Sequence, residues 1–144
     1  MIIRNLKSED MESLSKLYYE FWNENSDISK MKNKLVDLQN NAAYIFLCAV
    51  EKEILVGSVT GIVCEDLYGD CKPFLVLENM VVHSDYRKKG IGKMLFEELE
   101  NKAKNIGCTQ IILVTNTERK DACRFYESMG FHPAANKGYK KKLI

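Results

Sequence analysis

The sequence predicts a mixed α/β (α+β) fold, a single mixed sheet with helices on both faces. Three observations carry that prediction. Apolar spacing switches repeatedly between helical and strand periods. No repeat, linker or biased tract interrupts the chain, and 144 residues suit one domain spanning 1–144. A chain of that length buries roughly two-thirds of its unfolded surface, enough for a core without staples.

Met1 to Leu6 reads as a short strand ended by polar residues. Ser8 can cap a helix whose first turn carries Glu9 and Asp10, favourable at the positive end of the helix dipole. Met11, Leu14, Leu17, Tyr18, Phe21 and Trp22 then recur at helical spacing. Glu24 to Ser29 is a polar loop before a shorter helical pattern through Met31, Leu35 and Leu38. Ala42 to Val50 and Ile54 to Cys64 are strand-like runs joined by a hairpin turn at Glu51-Lys52-Glu53. Asp66 to Pro73 is loop, and Phe74 to Val82 is a third strand, apolar except at Glu78 and Asn79. Ile91, Leu95, Leu99, Ala103 and Ile106 mark a helix beginning near Gly90, with Gly107 as its C-terminal cap. Gln110 to Thr115 predicts a strand, Asp121 to Met129 a helix stopped by Gly130, and Phe131 to Ile144 one or two short strands.

Composition excludes several function classes. Hydrophobic residues at 46% and charged residues at 28% argue against disorder. A net charge of +1 lacks the basic excess of a protein that coats nucleic acid or anionic membrane, so neither is an expected partner. The longest apolar run, Ala42 to Val50, is far short of the ~20 residues of a spanning helix. MIIRNLKSED turns charged too soon for a signal peptide, so a cytoplasmic location is expected. Cys48, Cys64, Cys71, Cys108 and Cys123 contain no C-x-x-C pair. They read as small apolar residues in a reducing compartment, with no metal expected.

The chemistry concentrates between Glu78 and Lys93. A buried-type strand, a short turn, a basic glycine-bearing loop and a helix N-terminus follow one another there. The first helical turn leaves backbone N–H groups unpaired, a ready anion site. Gly90 and Gly92 remove side chains that would block a phosphate, while Arg87, Lys88, Lys89 and Lys93 add positive charge. A pyrophosphate is the expected ligand; the alternative is an ordinary helix start with solvated lysines. The P-loop pattern is absent because Lys93 is followed by Met94, and a dinucleotide G-x-G-x-x-G fails at Leu95.

Arg87-Lys88-Lys89-Gly90-Ile91-Gly92, after a strand ending in Val81-Val82, resembles the R-x-x-G-x-G acetyl-CoA motif of the GCN5-related N-acetyltransferases (GNAT family). Ala122 to Phe131 resembles that family's A-x-x-F-Y-x-x-x-G-F block. Two ordered blocks are far more specific than either alone, and the element order matches nearly throughout. The resemblance implies a mostly antiparallel sheet splayed at the cofactor strand. Acetyl-CoA would insert there, its pantetheine arm pairing with Met80, Val81 and Val82 and its pyrophosphate lying on Lys88 to Lys93. Glu78 and Asn79 would then face a cleft rather than the core; a bulge or an edge position facing water is the alternative.

The implied reaction is acetyl transfer to a primary amine by direct attack in a ternary complex. An amine attacks only when neutral, and a carboxylate at the cleft can accept its proton directly or through a water, a role the resemblance gives to Glu78. It places Tyr126 beside the departing sulfur as an acid, while a Val81 or Val82 N–H would polarise the carbonyl. Phe125 is grouped with the cofactor contacts, although its own pattern is that of a helix aromatic packed on the sheet. Asn116 would bond the pantetheine amides, with Arg119 taking part of that role or serving the turn. Cys123 lies one helical turn before Tyr126 but lacks an adjacent histidine, so it reads as a packed thiol. His83 and His132 read as loop residues, and Lys140 to Lys142 as a charged edge strand that permits a homodimer.

The acceptor is a small-molecule or peptide amine of unspecified identity. Glu65, Asp66 and Asp70, with Glu24 and Asp27 in the first interhelix loop, could steer a cationic amine or be plain solvated turns. The competing reading from the binding class is a catalytically silent acyl-CoA-binding or sensor domain. A generic nucleotide-binding module is the third.

Overall fold

Five strands form one open sheet in the sequential order β1-β2-β3-β4-β5. The computed structural model describes residues 1–144 throughout. The strands are β1 (Ile2–Asn5), β2 (Tyr44–Glu51), β3 (Ile54–Cys64), β4 (Phe74–Val82) and β5 (Ile111–Ile112). Neighbours run antiparallel from β1 to β4, and β4 pairs parallel with β5. Four helices complete the chain: α1 (Met11–Trp22), α2 (Ile28–Leu38), α3 (Ile91–Ile106) and α4 (Lys120–Ser128). The chain divides into two compact units, residues 1–112 and residues 113–144. The first holds the whole sheet with α1, α2 and α3; the second holds α4.

Helices cover both faces of the sheet, as predicted. On β3, a side chain at Gly57 would meet Leu95 and Ile91 of α3, and one at Gly61 would meet Leu99 of α3. Glycine at these positions lets α3 seat close against the strand. The neighbouring Ser58 points the opposite way, toward the Tyr18 phenol of α1, because successive strand residues alternate faces. On that second face Leu6, Met11, Leu14, Leu17, Leu35, Cys48 and Val81 form a buried cluster, edged by Tyr18, Phe21 and Phe46.

The first helix begins differently from its prediction. Ser8–Asp10 forms a single 3-10 turn before α1, and Ser8 makes no capping bond. Asp10 takes over instead. Its carboxylate accepts the Lys7 N–H at 2.7 Å and both terminal nitrogens of Arg4 at 2.7 and 2.8 Å. The Arg4 guanidinium also reaches Cys48 Sγ at 3.3 Å, which welds β1, β2 and the start of α1 together. Burial pushes the Cys48 thiol up to about 11, so it stays protonated and unreactive. Asp27 caps α2 through the Lys30 N–H at 3.0 Å, a role the loop reading of Glu24 to Ser29 did not include.

The β2–β3 turn holds Lys52 and Glu53 at φ 48° and 67°. Consecutive left-handed residues define a type I′ hairpin turn, normally built from Asn and Gly. Gly107 closes α3 at φ 91° as predicted, its N–H bonding Ala103 and Lys104 carbonyls.

The end of the chain departs from prediction. Gln110 to Thr115 shrinks to the two-residue β5, paired only at Leu75 and Val76. Phe131 to Ile144 forms no strand, so Lys140 to Lys142 are not an edge strand. That segment has no paired backbone partner beyond Phe131, and Tyr139, Leu143 and Ile144 are exposed. A strand without a neighbouring strand satisfies none of its backbone groups, and alternation in sequence cannot supply one.

Candidate active site

The site is built on the irregular middle of β4. Glu78 pairs with Thr60 on β3, but the next pair joins Val81 to Ser58. Asn79 and Met80 on β4 therefore answer Val59 alone on β3, and Asn79 takes φ 49° to absorb the extra residue. This β-bulge turns Glu78 and Asn79 outward to solvent. Before it, Leu75 lies against the α3 side, next to the Gly61 position. After it, Val81 joins the cluster on the α1 side. Glu78, opposite Thr60, shares that α1 side with Thr60 and Ser58.

The other edge of β4 is open. Parallel pairing with β5 stops at Val76–Ile112, so Leu77 to Val82 have no strand partner on that side. This open edge lies at Met80, Val81 and Val82, where the resemblance implies the splay.

The connection from β4 to α3 is an anion-binding loop by geometry. The Tyr86 and Arg87 N–H groups bond His83 and Ser84 carbonyls, and the next in-chain bond is Met94 N–H to Gly90 O at 3.0 Å. Between them the N–H groups of Lys88, Lys89, Gly90, Ile91, Gly92 and Lys93 have no in-chain acceptor. Lys88 at φ 59° and Gly90 at φ 81° bend the chain so that this run wraps the start of α3. Gly90 has open space around its Cα, and no side chain caps the helix. The four basic side chains are deployed differently. Arg87 donates its Nε to Val82 O at 3.0 Å and lies over the Phe21 ring at 5.7 Å. Lys89 lies over Tyr86 at 4.9 Å, Lys93 sits 3.6 Å from Glu97, and Lys88 makes no ion pair.

Sequence reasoning missed one partner of this loop. Glu20, near the end of α1, accepts the Ser84 N–H at 3.0 Å and lies 3.3 Å from His83 Nε2. His83 Nδ1 accepts from Asp85 N–H at 3.2 Å, which leaves the ring proton on Nε2, facing Glu20. The Ser84 N–H, then His83 and Arg87, hold the Glu20 carboxyl below the usual carboxylate value. Nothing in the spacing of α1 distinguishes Glu20 from the solvated acids beside it.

The remaining predicted residues lie in the second unit. Tyr126 on α4 is half-buried, edge-on to Phe125 at 5.3 Å and to Phe131 at 5.8 Å. The Phe131 N–H returns to Tyr126 O at 3.2 Å past Gly130 at φ 94°, a helix stop that fixes the aromatic trio. The Asn116 side-chain oxygen accepts from Glu118 N–H at 2.9 Å, so it serves the turn before α4. Cys123 Sγ lies 3.9 Å from Asn116 O, a packed thiol rather than one beside a base. No three His, Cys, Asp or Glu side chains gather as a metal site. No helix is long and apolar enough to cross a membrane.

An open strand edge beside a run of unpaired N–H groups at a helix start has the geometry to hold a phosphate-bearing ligand. The chain matches the acetyltransferase (GNAT) family over residues 9–131 and belongs to that family. It is 32% identical over 80 residues to the uncharacterized protein YdhI of Bacillus subtilis (strain 168), covering 55% of this chain and 46% of that protein. It is 31% identical over 72 residues to the aminoglycoside N(6')-acetyltransferase type 1 of Acinetobacter genomosp. 13, covering 50% of this chain and 49% of that one. The aligned part thus spans about half the length of these curated relatives. Among solved structures, a putative acetyltransferase from Agrobacterium tumefaciens str. C58 superposes with a TM-score of 0.90 at 19% identity. That match covers 99% of this chain and 100% of the other, a likeness of fold. Acetyltransferases of this family use acetyl-CoA.

Proposed function

We propose that the protein transfers acetyl from acetyl-CoA to a primary amine by direct attack within a ternary complex. The observation that carries the reading is the uninterrupted run of backbone N–H groups from Lys88 to Lys93, which fits a pyrophosphate. When bound, acetyl-CoA supplies the acetyl thioester. Met80, Val81 and Val82 hold the pantetheine arm along the open edge of β4, and a Val81 or Val82 N–H polarises the carbonyl. Glu78 takes the amine proton, directly or through a water, as the nitrogen–carbon bond forms. Tyr126 gives a proton to the sulfur as the carbon–sulfur bond breaks, and Phe125 and Asn116 complete the cofactor side.

The acceptor we favour is polycationic. Glu24, Glu65 and Asp70 are exposed acids without ion pairs, and one relative acts, by its name, on aminoglycosides. Asp27 and Asp66 contribute less, since one caps α2 and the other accepts the Tyr68 N–H. The test is CoA release with a polyamine, an aminoglycoside and a neutral-flanked amine, each at low and high salt. The polycations should give the higher kcat/KM, falling as salt shortens the Debye length below about 8 Å. Equal rates for all three would remove the polycation assignment, and no CoA release with any amine would remove the transferase reading.

A further inference from the structure

The backbone of the turn between β4 and α3 is hydrogen-bonded to α1 through a single side chain. Glu20 is the only α1 residue bonded to the turn's backbone, through Ser84 N–H at 3.0 Å. Its second oxygen meets His83 Nε2 at 3.3 Å, while the opposite face of that ring fixes Asp85 N–H and packs edge-on against Tyr86 at 5.6 Å. Arg87 adds a third tie, with its guanidinium over Phe21, the residue after Glu20. Every residue from His83 to Arg87 is thereby oriented from α1, immediately before the unpaired N–H run begins at Lys88. Exposed ion pairs add little stability, so these contacts have small value as mere glue. They have a large effect on where the next residues point.

We infer that Glu20 is a positioning residue for the cofactor: by holding Ser84 and His83 it sets the angle at which the Lys88–Lys93 amides meet a pyrophosphate. This rests on the proposed acetyl-CoA reading of that loop. The charge of Glu20 works against an anion nearby, whereas its hydrogen bond works for one, and this opposition separates the two effects. Glu20→Gln keeps an oxygen for the Ser84 N–H and removes the charge. Glu20→Ala removes both. Ser84→Pro deletes the donor itself at the first position of a 3-10 turn, where proline is tolerated, and His83 at φ −51° and ψ 138° already has the backbone proline demands of its predecessor.

The experiment is calorimetric titration of the full chain with CoA, which needs no acceptor. Glu20→Ala and Ser84→Pro should each weaken CoA binding roughly tenfold, the size of one charge-assisted hydrogen bond. The double variant should be no weaker than either single one. Glu20→Gln should bind as wild type or tighter, and Glu12→Ala, on the same helix, should change nothing. In turnover, KM for acetyl-CoA should rise with kcat within about twofold. Unchanged CoA affinity in Glu20→Ala, additive losses in the double variant, or equal weakening by Glu20→Gln would each overturn the inference. A wild-type chain that binds no CoA would instead overturn the acetyl-CoA reading beneath it.

Discussion

Arg4 grips Asp10 with both terminal nitrogens, and the carboxylate is left only 7% exposed. Burial raises the Asp10 pKa, but Arg4 and the Lys7 N–H more than offset it and hold the group below 3.8. A carboxyl depressed on folding contributes stability above its unfolded value, and loses that contribution as pH falls through the folded one. Asp10→Asn should therefore destabilise the protein by about 2 kcal/mol near neutrality. The gap between wild-type and variant Tm should close below about pH 4. A gap unchanged down to pH 3 would mean that shape, not charge, holds the joint.

Lys52 and Glu53 occupy left-handed conformations that cost about 1 kcal/mol per ordinary residue. Replacing the pair by Asn-Gly should raise stability by about 1–2 kcal/mol and Tm by a few degrees. Thermal unfolding measures this directly, and a lowered Tm would show that the side chains themselves hold the turn.

A Cβ at Gly61 would stand 2.6 Å from Leu99 Cδ1 and 3.1 Å from Leu75 Cδ1. Gly61→Ala should cost about 1–3 kcal/mol by overpacking. Because the nearest atom is the tip of a side chain, Leu99→Ala should cost less in the Gly61→Ala background than in wild type. Strict additivity in denaturant melts would place the strain in the backbone instead.

The two loop glycines should respond differently. Gly90 at φ 81° tolerates no Cβ without strain, so Gly90→Val should lower both Tm and CoA affinity. Gly92 lies within the first turn of α3, where valine is a better helix former than glycine. Gly92→Val should keep Tm and abolish CoA binding in calorimetry. Full affinity in that folded variant would remove the phosphate loop.

Glu78→Gln should lower turnover at least tenfold while CoA binding survives. Tyr126→Phe should reduce kcat with little change in cofactor affinity. Wild-type turnover in Glu78→Gln would transfer the proton to water or another group.

Element type is legible in this sequence wherever periodicity meets a stop signal. Phe74–Val82 and Ile54–Cys64 are bounded in sequence as in space, and Gly107 marks the end of α3. The loop glycines and lysines are legible too, because their meaning is local. What local pattern cannot carry is partnership. The Arg4–Asp10 joint links two elements whose approach depends on β2, and reading Asp10 as a first-turn acid at the positive end of the helix dipole misses its burial. Glu20 has the same history. The β4 interruption at Glu78-Asn79 is visible as two polar residues, but the bulge there depends on the register with β3, which local pattern does not carry. The C-terminal strands fail for the converse reason, since alternation around Lys140 to Lys142 meets no neighbouring strand.

The bulge at Asn79 also gives β4 a parity. Leu75 and Val81 are an even number of residues apart, yet they serve opposite faces of the sheet. Deleting Asn79 would leave Glu78, Met80 and Val81 in plain alternation, with Val81 still opposite Ser58 and still in its cluster. The extra residue is thus a spacer that the sheet itself does not need: its loss would straighten the strand at Glu78 and leave the core on both faces in register.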